Sequence, residues 1–178
     1  ELRPYFPVEK VISGMFEVVK RLFAIDILPV AVFDSWHEDA RFYDVYRDGK
    51  QIASFYLDLF AREHKQGGAW MADCRVRRAT ETGLQLPVAF LTCNFTPPVG
   101  DTPSLLTHDE VTTLFHEFGH GLHHMLTRID TAAVSGINGV AWDAVELPSQ
   151  FMENWCWQEE ALGLMSGHYQ TGEPLPSD

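Results

Sequence analysis

The chain has 178 residues, 46% of them hydrophobic and five of them Trp, enough apolar material for one sizeable core and unlike a disordered polypeptide. Its 13 Lys plus Arg stand against 25 Asp plus Glu, a net charge of -12, and such an acidic surface repels the phosphate backbone, which argues against nucleic acid as a partner. Cys74, Cys93 and Cys156 are too few and odd in number for a disulfide framework, and there is neither a signal peptide nor a long apolar run, so no membrane association and a reducing cytoplasm are expected.

In chain order, Val8, Val11, Ile12, Met15, Phe16, Val19, Leu22 and Phe23 recur at helical spacing behind Pro7, which predicts an amphipathic helix over 8–25 with Pro7 at its first position. Extended segments follow near Ala31-Val32-Phe33, from Arg41 to Arg47 and from Gln51 to Phe60, the last two joined by the hairpin signal Asp48-Gly49. These read as a small antiparallel sheet. A polar loop containing Gly67-Gly68 leads to a further strand, Val88 to Phe95, closed by Pro97-Pro98 and Gly100, which reads as a core strand, with an exposed edge to which a peptide could add as the alternative. Thr107 and Glu110 form a capping box opening a helix that runs to about Arg128. The loop from Ser135 to Gly139 reads as a connector to a second helix, with Pro148 in its first turn and Glu146 near its start. Trp155 and Trp157 read as core residues. The chain opens at Glu1 and stops at Leu175-Pro176-Ser177-Asp178, which reads as the entry to another helix, so residues 1–178 are expected to be part of a longer catalytic domain.

The capped helix contains His116-Glu117-Phe118-Gly119-His120, an HExxH pattern. Residues four apart share a helix face, so both imidazoles can reach one Zn²⁺ at about 2.0–2.1 Å while Glu117 points to its side. A catalytic zinc needs a third protein ligand and one open position, and Glu146 is the candidate. An ion so held acidifies water and polarises a scissile carbonyl, and Glu117 is placed to take the proton and pass it to the leaving amine. One zinc per chain and peptide hydrolysis are the expected cofactor and reaction. His124 shares the face of His116 but lies about 12 Å further along the axis, too far to ligate the same ion. With His123 it reads as a supporting polar residue. A metzincin would need Gly and His where His123 and Leu126 stand, and Cys93 or Cys74 lacks the surroundings of a deformylase ligand. Glu153 shares the helical face of Glu146 and is a candidate to accept a hydrogen bond from a ligating imidazole. Gly119 and Gly121, each unfavourable in a helix by about 0.8–1.0 kcal/mol relative to Ala, point to close packing or close substrate approach.

The stretch from Leu114 to His124, with Val145-Glu146-Leu147-Pro148-Ser149-Gln150-Phe151-Met152-Glu153-Asn154-Trp155, resembles the thimet oligopeptidase family, and the wording is closest to its bacterial branch. The likeness extends through Ser54-Phe55-Tyr56-Leu57-Asp58, Gly67-Gly68-Ala69-Trp70-Met71, Leu91-Thr92-Cys93-Asn94-Phe95 and Ser166-Gly167-His168-Tyr169. It implies that His116, His120 and Glu146 ligate zinc and that Glu117 is the base. It further implies a larger, mainly helical enzyme whose channel admits short peptides in the cytoplasm. Family members supply Tyr and His donors to the oxyanion from a later segment, donors worth about 10²–10³ in rate. Without that segment and the N-terminal lobe, this piece is expected to bind zinc but to cleave peptides weakly or not at all. The fold expected overall is α+β, a small antiparallel sheet packed beside the HExxH helix and a following helix that carries the third ligand.

Overall fold

A computed structural model of the protein describes residues 2–176. Glu1, Ser177 and Asp178 lie outside the described residues, and with them part of the helix entry expected at Leu175 to Asp178. Helix α1, Val8–Phe23, buries Val8, Val11, Ile12, Met15, Val18 and Val19 on one stripe. Pro7 stands just before the first turn rather than in it, with an extended backbone, and its carbonyl accepts the Val11 amide. Ala24 takes a left-handed φ of 51° and ends the helix short of residue 25.

The strands are β1 Asp26–Pro29, β2 Arg41–Arg47, β3 Lys50–Phe60, β4 Trp70–Arg75, β5 Arg78–Thr80, β6 Gly83–Gln85 and β7 Val88–Phe95. Five form one sheet in the order β1-β2-β3-β7-β4, and β5 and β6 pair apart as a hairpin. The fold is α+β, but the sheet is mixed: β3 and β7 run parallel, Phe55 opposite Ala89, while the other pairs are antiparallel. The Asp48-Gly49 turn fixes β2 against β3 as expected. The chain then passes to the sheet's far edge as β4, so β7 must return between β4 and β3 and meets β3 in its own direction. The strand expected at Val88–Phe95 is therefore interior, and the edge on that side belongs to β4. The segment expected at Ala31-Val32-Phe33 is irregular; β1 forms earlier, where Asp26 pairs with Tyr46, and Val32 is 91% exposed.

One sheet face carries Phe55, Leu57, Leu91 and Cys93 into the main core with α1 and the later helices. The other carries Phe42, Tyr56 and Phe90, ring against ring, with Trp36 of the preceding loop laid across Tyr56 and Phe90.

Helix α2, His108–Met125, opens on the expected capping box: the Thr107 hydroxyl accepts the Glu110 amide at 3.1 Å and Glu110 accepts the Thr107 amide at 2.7 Å. It stops at Met125, three residues short of Arg128. Helix α3, Leu147–Glu153, has Pro148 in its first turn and continues into a 3₁₀ turn, Asn154–Trp157, before helix α4, Glu159–Met165. Trp155 packs on the core, whereas Trp157 is 70% exposed, its ring edge on His108, so it is no core residue. Among the described residues no helix is long and apolar enough to cross a membrane.

Candidate metal centre

The approach of α2 to α3 depends on Gly119. A Cβ there would lie 2.6 Å from the Pro148 carbonyl oxygen and from the Ser149 Cα, so the two backbones meet where any larger residue would separate them. Gly121 plays a lesser part, its missing side chain being replaced by Leu91 of β7. This contact places Glu146, the residue preceding α3, above the middle of α2.

One ligand atom each from His116, His120 and Glu146 lies within 4.8 Å of the others. Glu146 Oε2 is 3.3 Å from His116 Nε2 and 3.1 Å from His120 Nε2. The two rings stand edge to face, 4.9 Å between centroids, as positions four apart on a helix allow. Bonds of about 2.0–2.1 Å at tetrahedral angles separate neighbouring ligand atoms by about 3.3 Å, the spacing seen between the carboxylate and each ring.

The donor chemistry fits a cation for a second reason. His116 Nδ1 lies 2.6 Å from Glu153 Oε1, and since a carboxylate accepts, the ring donates there and leaves Nε2 as a bare lone pair in the neutral form. Burial lowers the pKa of His120, which favours its neutral ring. Glu146 is held below the ordinary carboxylate value, chiefly by the Ser149 hydroxyl, which donates to its Oε2 at 2.9 Å, and further by the two histidines. Two imidazole nitrogens and a carboxylate oxygen thus converge, each able to offer a lone pair to one cation.

Glu117 is 9% exposed. Burial pushes its carboxyl above the usual value and Glu146 adds to this, while His116 and the Met71 backbone amide, which donates to it, pull the other way. Met71 belongs to β4, so the edge strand's main chain is anchored beside Glu117. A backbone donor carries no residue signature, and neither this contact nor the Ser149 hydroxyl on Glu146 is marked by any pattern of residues. Cys93 lies in β7 with its thiol pushed up to about 12 by burial, and Cys74 is an exposed residue of β4; neither joins the cluster. His123 is half-buried and its pKa is lowered by burial, whereas His124 is fully buried and its Nε2 lies 2.8 Å from the Arg75 carbonyl.

The whole chain, residues 1–178, matches the family model described as peptidase family M3. It is 63% identical over its full length to oligopeptidase A of Haemophilus influenzae and 63% identical to oligopeptidase A of Escherichia coli, covering 26% of each. It is 50% identical, again over its full length, to a probable cytosolic oligopeptidase A of Arabidopsis thaliana, of which it covers 26%. The chain therefore spans about a quarter of the length of these relatives.

Proposed function

Since the chain belongs to peptidase family M3, we propose that it is the part of a zinc metalloendopeptidase that binds the metal and carries the catalytic base, in an enzyme that hydrolyses short peptides in the cytoplasm. The observation that carries this reading is the convergence of His116, His120 and Glu146 beside a buried Glu117. Two imidazoles and a carboxylate are a donor set suited to hydrolytic zinc, and Glu153 orients His116 through the ring's other nitrogen. A zinc ion held there supplies the charge that acidifies water and polarises a carbonyl.

Glu117 takes the proton from the attacking water and returns it to the departing amine. A carboxyl raised by burial serves both halves of that task better than an ordinary one, because its two protonation states are closer in energy near neutral pH. The peptide lies along the free edge of β4, the strand whose Met71 amide meets Glu117, and so presents its main chain to the base. This replaces β7 as the strand that receives substrate. Full activity belongs to the longer protein, whose remaining segments supply oxyanion donors; the 178 residues alone hold zinc and cleave weakly or not at all.

Elemental analysis of purified protein, with Glu146→Ala in parallel and a quenched short peptide as the assay, tests this. About one zinc per chain, lost or weakened in the variant, is expected. A folded chain without zinc would overturn the site. Glu117→Gln should keep the metal and lose about 10²–10⁴ in rate.

A further inference from the structure

The third histidine on the ligand face of α2, His124, lies beyond the metal cluster, and its environment gives it a different task. It is fully buried. Its Nε2 is 2.8 Å from the carbonyl oxygen of Arg75, the last residue of β4, and because a carbonyl only accepts, Nε2 carries the hydrogen. The ring is sealed on its other side by Gly136, whose φ is +63° and where a Cβ would sit 2.6 Å from His124 Nδ1. Nδ1 itself has no protein partner, so the ring is held by a single directed hydrogen bond and by packing.

That bond acts where β4 is weakest. The pairing of β4 with β7 slips between Asp73 and Arg75, leaving Cys74 as an extra residue, and a bulge disrupts the ladder locally. At its other end the Met71 amide faces Glu117 of the same helix. Main-chain groups alternate in direction along a strand, so Asp73, two residues from Met71, turns its own amide and carbonyl to the same free edge. The stretch between the two anchors is thus a short, open length of main chain beside the catalytic carboxylate. The segment past it is stitched to the loop that follows α2, by Arg77 on Asp130 at 2.6 Å and by the Ala79 amide on the Asp130 carbonyl at 2.9 Å.

We propose that His124 is a positioning residue: by holding the Arg75 carbonyl it sets the edge of β4, at Asp73 above all, at the height and angle needed to receive an extended peptide beside Glu117. The inference rests on the peptidase reading for its substrate. Its geometric half, the tethering of β4 to α2, stands without it.

The test uses the intact polypeptide with His124→Phe, which keeps the ring volume and removes the donor, and His124→Gln, whose amide still reaches a carbonyl. His124→Phe is expected to raise KM for a quenched peptide about 3- to 10-fold, the worth of one hydrogen bond, with kcat and zinc content unchanged. It should also speed amide exchange at residues 72–76 while leaving α2 protected, and His124→Gln should restore both readouts. A lowered melting temperature with KM and exchange at 72–76 unmoved would overturn the proposal, as would loss of zinc in the Phe variant. If the longer enzyme that contains this chain binds zinc but cleaves no peptide, the functional reading fails, and amide exchange still decides whether His124 holds the strand.

Discussion

Two carboxylates, Asp58 on β3 and Glu146 before α3, show opposite ways of placing a negative charge. Asp58 is 3% exposed and its needs are met within the chain: Arg62 donates to both oxygens at 2.8 Å, the Lys65 ammonium to one at 2.8 Å, and the Trp36 indole to the other at 2.9 Å. Burial alone would raise its pKa, yet these donors override burial and hold it well below the usual carboxylate range. Glu146 is exposed, accepts the Ser149 hydroxyl at 2.9 Å, and lies 3.1 and 3.3 Å from two imidazole nitrogens, with no Lys or Arg paired to it among the described residues. A carboxylate that fastens a fold is supplied with cations by its own sequence neighbours. Glu146, among the described residues, has only two imidazoles beside it in place of such cations, and with them it could hold a metal ion.

The largest effect that can break this contrast is at Asp58. Removing one member of a buried ion network leaves uncompensated charge behind and is destabilising by about 3–5 kcal/mol. Asp58→Ala should therefore lower the urea-unfolding free energy by that order, while the molecules that remain folded bind zinc as before. Loss of zinc out of proportion to loss of folded protein would show that the two carboxylates are not separate devices. Acid sharpens the same point. A carboxylate whose folded pKa is depressed contributes fully above its unfolded pKa and loses that contribution as pH falls towards the folded value. The Asp58 contribution should thus be intact at neutral pH and drain away below about pH 4. Asp58→Asn should flatten stability against pH in that window.

The next effect belongs to Glu153. Its 2.6 Å contact with His116 Nδ1 fixes which nitrogen of that ring carries the hydrogen, and partners of this kind typically change metal affinity 10- to 100-fold. Glu153→Gln should weaken zinc binding by about that factor in a competition with a chelator, with the unfolding free energy of the metal-free protein little changed. An unaltered affinity would mean that the ring is oriented by packing alone.

These two regions also differ in how far they could be read from residues. The α2 site was legible because its information is local: Thr107 and Glu110 cap the helix, the four-residue spacing sets one face, and Pro148 fixes where α3 starts. The limits of β2 and β7 were legible for a related reason, since hydrophobic runs and the Asp48-Gly49 turn are signals contained within a few residues. What could not be read was pairing across distance. Trp70–Arg75 shows no alternation, running from half-buried to exposed, so a strand that forms the edge beside Glu117 looked like loop. The parallel match of β3 to β7 follows from β4 occupying the outer position, and no pattern within β7 announces it. The Asp58 network joins residues of β3, the following loop and the Trp36 loop, and of these only the spacing of Asp58, Arg62 and Lys65 is visible in the chain.

The smallest effect separates the two kinds of carboxylate by sign. Glu117, unlike Asp58, has its pKa raised by burial in the folded state, so between its unfolded and folded values the native chain binds the extra proton and stability falls as pH rises. Above that window, at neutral pH, the folded chain carries the full disadvantage of a buried charge. Gln at this position removes the charge and keeps an oxygen to accept the Met71 amide. Glu117→Gln should therefore raise the melting temperature of the chelator-treated protein at pH 7, by about 2–4 °C at most, and the gain should vanish at acid pH where Glu117 is already protonated. The same substitution proposed to cost the rate would then stabilise the fold, as a carboxylate buried for its chemistry requires. A lower melting temperature at pH 7 would place Glu117 with Asp58, among the charges that the fold itself requires.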